Sequence, residues 1–196
     1  MIRAWRELST GLLIFTRGSD RARWSNAASH RPEWETRAAL AAKWIAPRSR
    51  VLDLGCGRMR LRDMLPPGCI YTPADLEPLS PGVQKVDLNR REFPNGSYDY
   101  VVLLGVLGYL HEPAAVLHRA RAHADRLIVS YKVAKKRGRK TLQRRWRDGY
   151  FNDFDDRMLA DVFAESGWEV ESAQAYNEDE TTRQDVFLCR AQALPS

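Results

Sequence analysis

Val51-Leu52-Asp53-Leu54-Gly55-Cys56-Gly57 is the stretch whose reading decides the fold. Apolar residues around an Asp describe a buried strand, and the Gly-x-Gly behind it turns the chain sharply. Glycine has no Cβ, so backbone amides at such a turn can press against a bound molecule. Upstream, Trp34, Ala38, Ala41 and Ile45 share one helical face between Glu33 and Ile45. Pro47 closes that helix, and the strand Arg50–Leu54 follows.

Downstream, Arg60–Leu65 has room only for a short helix before Pro66-Pro67-Gly68 breaks it. Cys69–Thr72 is strand-like and runs toward Asp75. After a turn at Pro81-Gly82, Val83–Leu88 reads as a brief third strand. Tyr98–Leu104 is a clear strand whose unbroken run Val101–Leu104 suits burial on both faces, as in a parallel sheet. Pro113 opens a helix through His123, and Arg126–Tyr131 is a fifth strand. Asp155–Glu165 is a helix with Met158, Leu159, Val162 and Phe163 inward, stopped at Gly167. Trp168–Ala173 and Asp185–Arg190 close the sheet, joined through the acidic stretch Asn177–Arg183. Strands alternating with helices, then a closing pair, predict a three-layer α/β/α sandwich. Its sheet is Rossmann-like, seven-stranded and mostly parallel, with an antiparallel last strand.

The chain of 196 residues is one domain by length, with an ordinary 44% hydrophobic and 29% charged content. We assign residues 1–30 to an N-terminal extension, in which Ile2, Trp5, Leu8 and Leu12 have helical spacing, and residues 31–196 to the main domain. No apolar run approaches the roughly 20 residues that cross a bilayer. Cys56, Cys69 and Cys189 are odd in number and in no metal-ligand spacing, which implies reduced thiols, a cytoplasmic setting and no metal. The formal charge of +6 is local. Lys132, Lys135, Lys136, Arg137, Arg139, Lys140, Arg144, Arg145 and Arg147 fall together with no acid among them. Without those nine, the chain would carry fewer Lys and Arg than its 25 Asp and Glu.

Four features that carry chemistry fall in order: the glycine turn, Asp75 roughly 20 residues later, Asp87-Leu88 after the third strand, and the small residues that end the fourth. Their densest parts, "VLDLGCG" and "YDYVVLLGVLGYLHEP", together resemble the class I S-adenosylmethionine-dependent methyltransferases, in the small-molecule branch, over residues 35–190. The resemblance implies S-adenosylmethionine as cofactor. It implies that Asp53, Gly55, Cys56 and Gly57 wrap the methionine part, and that Asp75, with Leu76 beside it, accepts hydrogen bonds from the ribose hydroxyls. Asp87 would meet the adenine through its side chain and Leu88 through its amide, with Leu104 and Gly105 near the sulfonium.

His111 is the candidate general base. Tyr109, Trp146, Tyr150 and Asn152 are the candidate acceptor-pocket residues. Trp34 and Arg37 read first as packing and solvation, with a lid or contact to the cofactor carboxylate as the alternative. Two departures from the family pattern stand out. Met59 replaces a third glycine, and only about eight residues separate Asp75 from the third strand, too few for a helical crossover. The reaction read from these features is methyl transfer to a small molecule, with anionic and sugar-linked acceptors as the candidate classes. An RNA methyltransferase using the 132–147 basic segment, and a module that binds the cofactor without catalysis, are the competing readings.

Overall fold

A computed structural model describes residues 2–26, with side chains from residue 6, and residues 34–192. Seven strands form one sheet: β1 (Arg50–Leu54), β2 (Ile70–Asp75), β3 (Gln84–Lys85), β4 (Tyr100–Leu104), β5 (Arg126–Ala134), β6 (Trp168–Glu178) and β7 (Thr182–Ala191). Their order is β3-β2-β1-β4-β5-β7-β6. The first five pair in parallel, and β7 runs antiparallel to both β5 and β6. The expected sandwich and its antiparallel last strand are therefore present.

Alternation along each central strand explains the layers. Leu52, Leu103 and Val129 face one side, where α4 (Pro113–Ala120) and α6 (Asp156–Glu165) bring Leu117, Leu159 and Phe163. Val51, Val102 and Ile128 face the other, under Ala38, Leu40 and Ala41 of α3 (Glu35–Ala42). Apolar residues on both faces are what gave β4 and β5 their unbroken runs. Gly167 ends α6 with a positive φ of 77°, the conformation a glycine stop requires.

Three expectations need correction. The third strand is only Gln84–Lys85, and Leu88 already belongs to a 3-10 turn; a connection without a helix leaves too little chain to align a longer parallel pair. The fifth strand, read as Arg126–Tyr131, continues to Ala134, and the basic segment beyond it holds a helix, α5, over Arg139–Arg147. The first helix, α1 (Ile2–Thr16), exists, but its expected inward residues Leu8 and Leu12 are 73% and 63% exposed. It docks on α5 through polar groups instead: Thr10 Oγ1 donates to Trp146 O at 2.8 Å, and Glu7 pairs with Arg147 at 3.1 Å. The side chains of Ile2 and Trp5, and residues 27–30 of the extension, lie outside the described residues.

No helix among the described residues is long and apolar enough to cross a membrane, and none of their His, Cys, Asp and Glu residues form a metal-binding group of three.

Candidate active site

The carboxyl ends of β1, β2 and β4 open into one cavity, where open α/β sheets hold ligands. Gly55 and Gly57 turn the chain there with φ of 78° and 51°. A Cβ on Gly55 would lie 2.3 Å from Val106 Cγ2, so no other residue fits without displacing that side chain. Gly55 N and Cys56 N both donate to Ala74 O, at 2.8 and 3.1 Å. Gly57 N donates to Asp75 Oδ2 at 2.8 Å. The glycine turn and the acid after β2 are thus one unit. Met59 keeps the glycine-like conformation, with φ of 55°, while burying its side chain; a left-handed residue with a Cβ costs about 1–2 kcal/mol, which burial of the thioether arm offsets.

Asp53 lies beneath the turn, buried, and accepts a 2.6 Å hydrogen bond from Tyr71 Oη. Burial pushes its carboxyl up to about 7; the Tyr71 bond opposes this, and the nearby Asp75 charge adds to it. Burial likewise raises the Cys56 thiol, which stays protonated.

All ten residues expected at the cofactor, Asp53, Gly55, Cys56, Gly57, Asp75, Leu76, Asp87, Leu88, Leu104 and Gly105, line this cavity. The Asp87 side chain, however, is already engaged. Its Oδ1 accepts from Ser19 Oγ at 2.6 Å and Asn89 N at 3.2 Å, and its Oδ2 accepts from Arg21 Nη2 at 2.9 Å. Arg21 also pairs with Glu77 at 2.7 Å. Asp87 therefore fastens the N-terminal segment against the cavity through Ser19 and Arg21, so the carboxylate expected at the adenine already has protein partners.

His111, by contrast, does not line the cavity. Its Nε2 is 2.9 Å from Gly18 O, its ring stacks on Phe151 at 4.3 Å, and its amide donates to Asn89 Oδ1. Of the four expected acceptor residues, Tyr109 lines the cavity, and Tyr150 stacks on it at 4.9 Å. Asn152 instead ties loops together, accepting from Tyr131 Oη at 2.7 Å and donating to Leu107 O and Leu110 O. Trp146 is on α5 against α1, its carbonyl holding Thr10.

Sequence reasoning missed Ser19, Asp20 and Trp24 as lining residues and ranked Trp34 and Arg37 too low; all five border the cavity. Trp24 is edge-on to Tyr109 at 4.8 Å, and Arg37 Cζ lies 4.5 Å over the Trp34 ring. A Trp in a four-residue helix, α2 (Arg21–Trp24), has no periodic neighbour to mark its direction.

The backbone cradle at Gly55–Gly57, with an acceptor-only carboxylate beside it, fits a nucleoside bearing a vicinal diol and an amino-acid tail. Comparison with known proteins agrees. A methyltransferase-domain family model matches residues 27–173. Comparison with curated protein sequences gives no match. Among solved structures, the chain is similar to the mitomycin 7-O-methyltransferase MmcR, at 17% identity and a TM-score of 0.63 over 84% of this chain and 56% of that one. It is also similar to the Burkholderia thailandensis 1,6-didemethyltoxoflavin-N1-methyltransferase with bound S-adenosylhomocysteine, at 18% identity and 0.64 over 86% and 82%. The cyclase SpnF shares the fold too, at 14% identity and 0.61 over 82% and 80%. The chain thus spans little more than half of the first of these structures. The chain belongs to the methyltransferase-domain family, a class I fold whose cofactor is S-adenosylmethionine.

Proposed function

We propose that the protein transfers a methyl group from S-adenosylmethionine to a small molecule that enters on the aromatic side of the cavity. The observation that carries this reading is the union of the glycine turn with Asp75, through the 2.8 Å bond from Gly57 N. Asp75 accepts from the ribose hydroxyls. Asp53 and the turn Gly55–Gly57 hold the methionine part, Leu76 and Leu88 border the adenine, and Leu104 with Gly105 border the sulfonium. Tyr109 and Tyr150 belong to the acceptor side. The N-terminal segment around Ser19, Asp20 and Trp24 works as part of the same catalytic unit, because these residues complete the cavity wall.

A small acceptor is favoured over RNA by what the basic segment does. Lys135 pairs with Glu178, Arg144 with Asp179 at 2.9 Å, Arg147 with Glu7, and Arg137 with Asp155 at 3.7 Å. Arg145 is buried beside Asp153 at 2.9 Å. The acids of the β6–β7 hairpin and its surroundings neutralise most of the charge that a polyanion would need. An anionic acceptor is favoured over a sugar-linked one by the Arg37 guanidinium on that wall.

The test is methyl transfer from labelled S-adenosylmethionine to a small-molecule extract and, separately, to total tRNA and rRNA. Label in the small-molecule fraction alone is expected. Label in RNA would reverse the choice of acceptor, and no transfer even in a single turnover would leave a cofactor-binding module.

A further inference from the structure

The acceptor end of the cavity carries a cation and several rings, yet no base at liberty. Arg37 Nη1 would lie 2.2 Å from a Cβ on Gly105, and the Tyr150 ring would lie 2.0 Å from one on Gly108. The loop after β4 is stripped of side chains at the two points where a guanidinium and an aromatic face press on it. Around them, Trp24 and Trp34 lie 6.3 Å apart, Trp24 meets Tyr109 edge-on, and Tyr109 stacks on Tyr150. Burial raises the hydroxyls of Tyr109, Tyr150 and Tyr176, so each remains a neutral donor and none is a base.

The other candidates for proton acceptor are engaged. The His111 Nε2 faces Gly18 O. Asp53 holds Tyr71, and Asp20 holds Arg23 through its amide and its Nε. Asp53 feels the charge of Arg37 but spends its short hydrogen bond on Tyr71. A wall of rings favours a flat guest, and a guanidinium favours an oxyanion.

We propose that the acceptor is a planar, conjugated oxyanion, held by Arg37 against the aromatic wall and methylated without any proton acceptor on the protein. This rests on the methyl-transfer reading of the cavity. When bound, the cofactor supplies its methyl as an electrophile: the oxyanion lone pair forms the new bond to carbon as the carbon–sulfur bond breaks, its electron pair staying on sulfur. The negative acceptor and the positive sulfonium become a neutral ether and a neutral thioether, so no proton has to move. Arg37 anchors and orients the anion, and Gly105, which has no Cβ, leaves the guanidinium room beside the end of β4.

The experiment uses the full chain and calorimetry. S-adenosylhomocysteine is titrated first; binding is expected, and its failure in the wild type would remove the methyl-transfer reading and this inference with it. The loaded protein is then titrated with 4-nitrophenolate and with its neutral methyl ether, 4-nitroanisole. The anion should bind at least about 10-fold more tightly, as one charge-assisted hydrogen bond implies. In Arg37→Gln that preference should vanish, with S-adenosylhomocysteine affinity within about threefold of the wild type, and Arg37→Lys should restore part of it. Equal binding of the two probes, binding of neither to the loaded protein, or loss of S-adenosylhomocysteine affinity in Arg37→Gln would each overturn the proposal. The last result would give Arg37 to the methionyl carboxylate instead.

Discussion

On the β1–β2 side the cavity wall is mostly backbone: two glycines, the carbonyl of Ala74 and one carboxylate clasping Gly57 N. Elsewhere it is side chains, Trp24, Arg37 and Tyr109, with Tyr150 stacked on Tyr109, brought from separate parts of the chain. The first wall is fixed by consecutive residues and suits one invariant ligand. The second is fixed by packing, and it can change its guest by changing a ring without disturbing the turn. That division matches a family in which the methyl donor is common and the acceptor varies.

The largest expected difference between the halves is in stability. Arg145 and Asp153 form a buried pair beneath the Tyr150 ring, with side chains 4% and 8% exposed, and Arg145 Nη2 also donates to Lys132 O. Arg145→Ala leaves Asp153 buried without its partner and should cost about 3–5 kcal/mol in chemical denaturation. A loss below about 1 kcal/mol would mean that the pair does not support that half.

Asp53 is the counterpart under the cofactor wall, and there the effect depends on pH. Its folded value of about 7 exceeds the 3.8 of a free Asp, so the folded state binds more protons between those limits. Stability should therefore fall as pH rises through roughly 4 to 7. Asp53→Asn should flatten that slope and be more stable than the wild type above pH 7, by on the order of 2–4 kcal/mol. Denaturation midpoints measured from pH 4 to 8 decide this, and parallel curves for the two proteins would contradict it.

Asp75→Ala should weaken S-adenosylmethionine by about 1–3 kcal/mol in calorimetry, through lost charged acceptors and a loosened Gly57. Acceptor-side substitutions should not imitate it. The smallest effect is expected at the exposed Arg144–Asp179 pair. Arg144→Ala should change stability by less than about 1 kcal/mol and leave cofactor affinity unaltered; a large loss would tie the basic segment to the cofactor after all.

The same division explains what could be read from the chain. The glycine turn, Asp75 and the end of β4 were legible because each is a local pattern at a spacing that the sheet imposes. The two-residue β3 followed from the short connection only as a weakness, since no helix crosses there. Asp87 lines the cavity, but its partners Ser19 and Arg21 were not legible, since they lie some 70 residues away in a segment without periodicity. The basic run hid a helix because its charges are neutralised by acids on other elements, a pairing that no local window contains. At the N-terminus, apolar periodicity pointed the wrong way: Thr10 is buried, whereas Leu8, Leu12 and Phe15 face outward.

The central claim is that one carboxylate serves both the turn and the sugar of the methyl donor. A crystal structure of the protein soaked with S-adenosylhomocysteine tests it most directly. The account predicts both ribose hydroxyls on the Asp75 carboxylate, with Gly57 N still donating to it. A nucleoside bound elsewhere on the molecule, or a ribose turned away from Asp75, would contradict it.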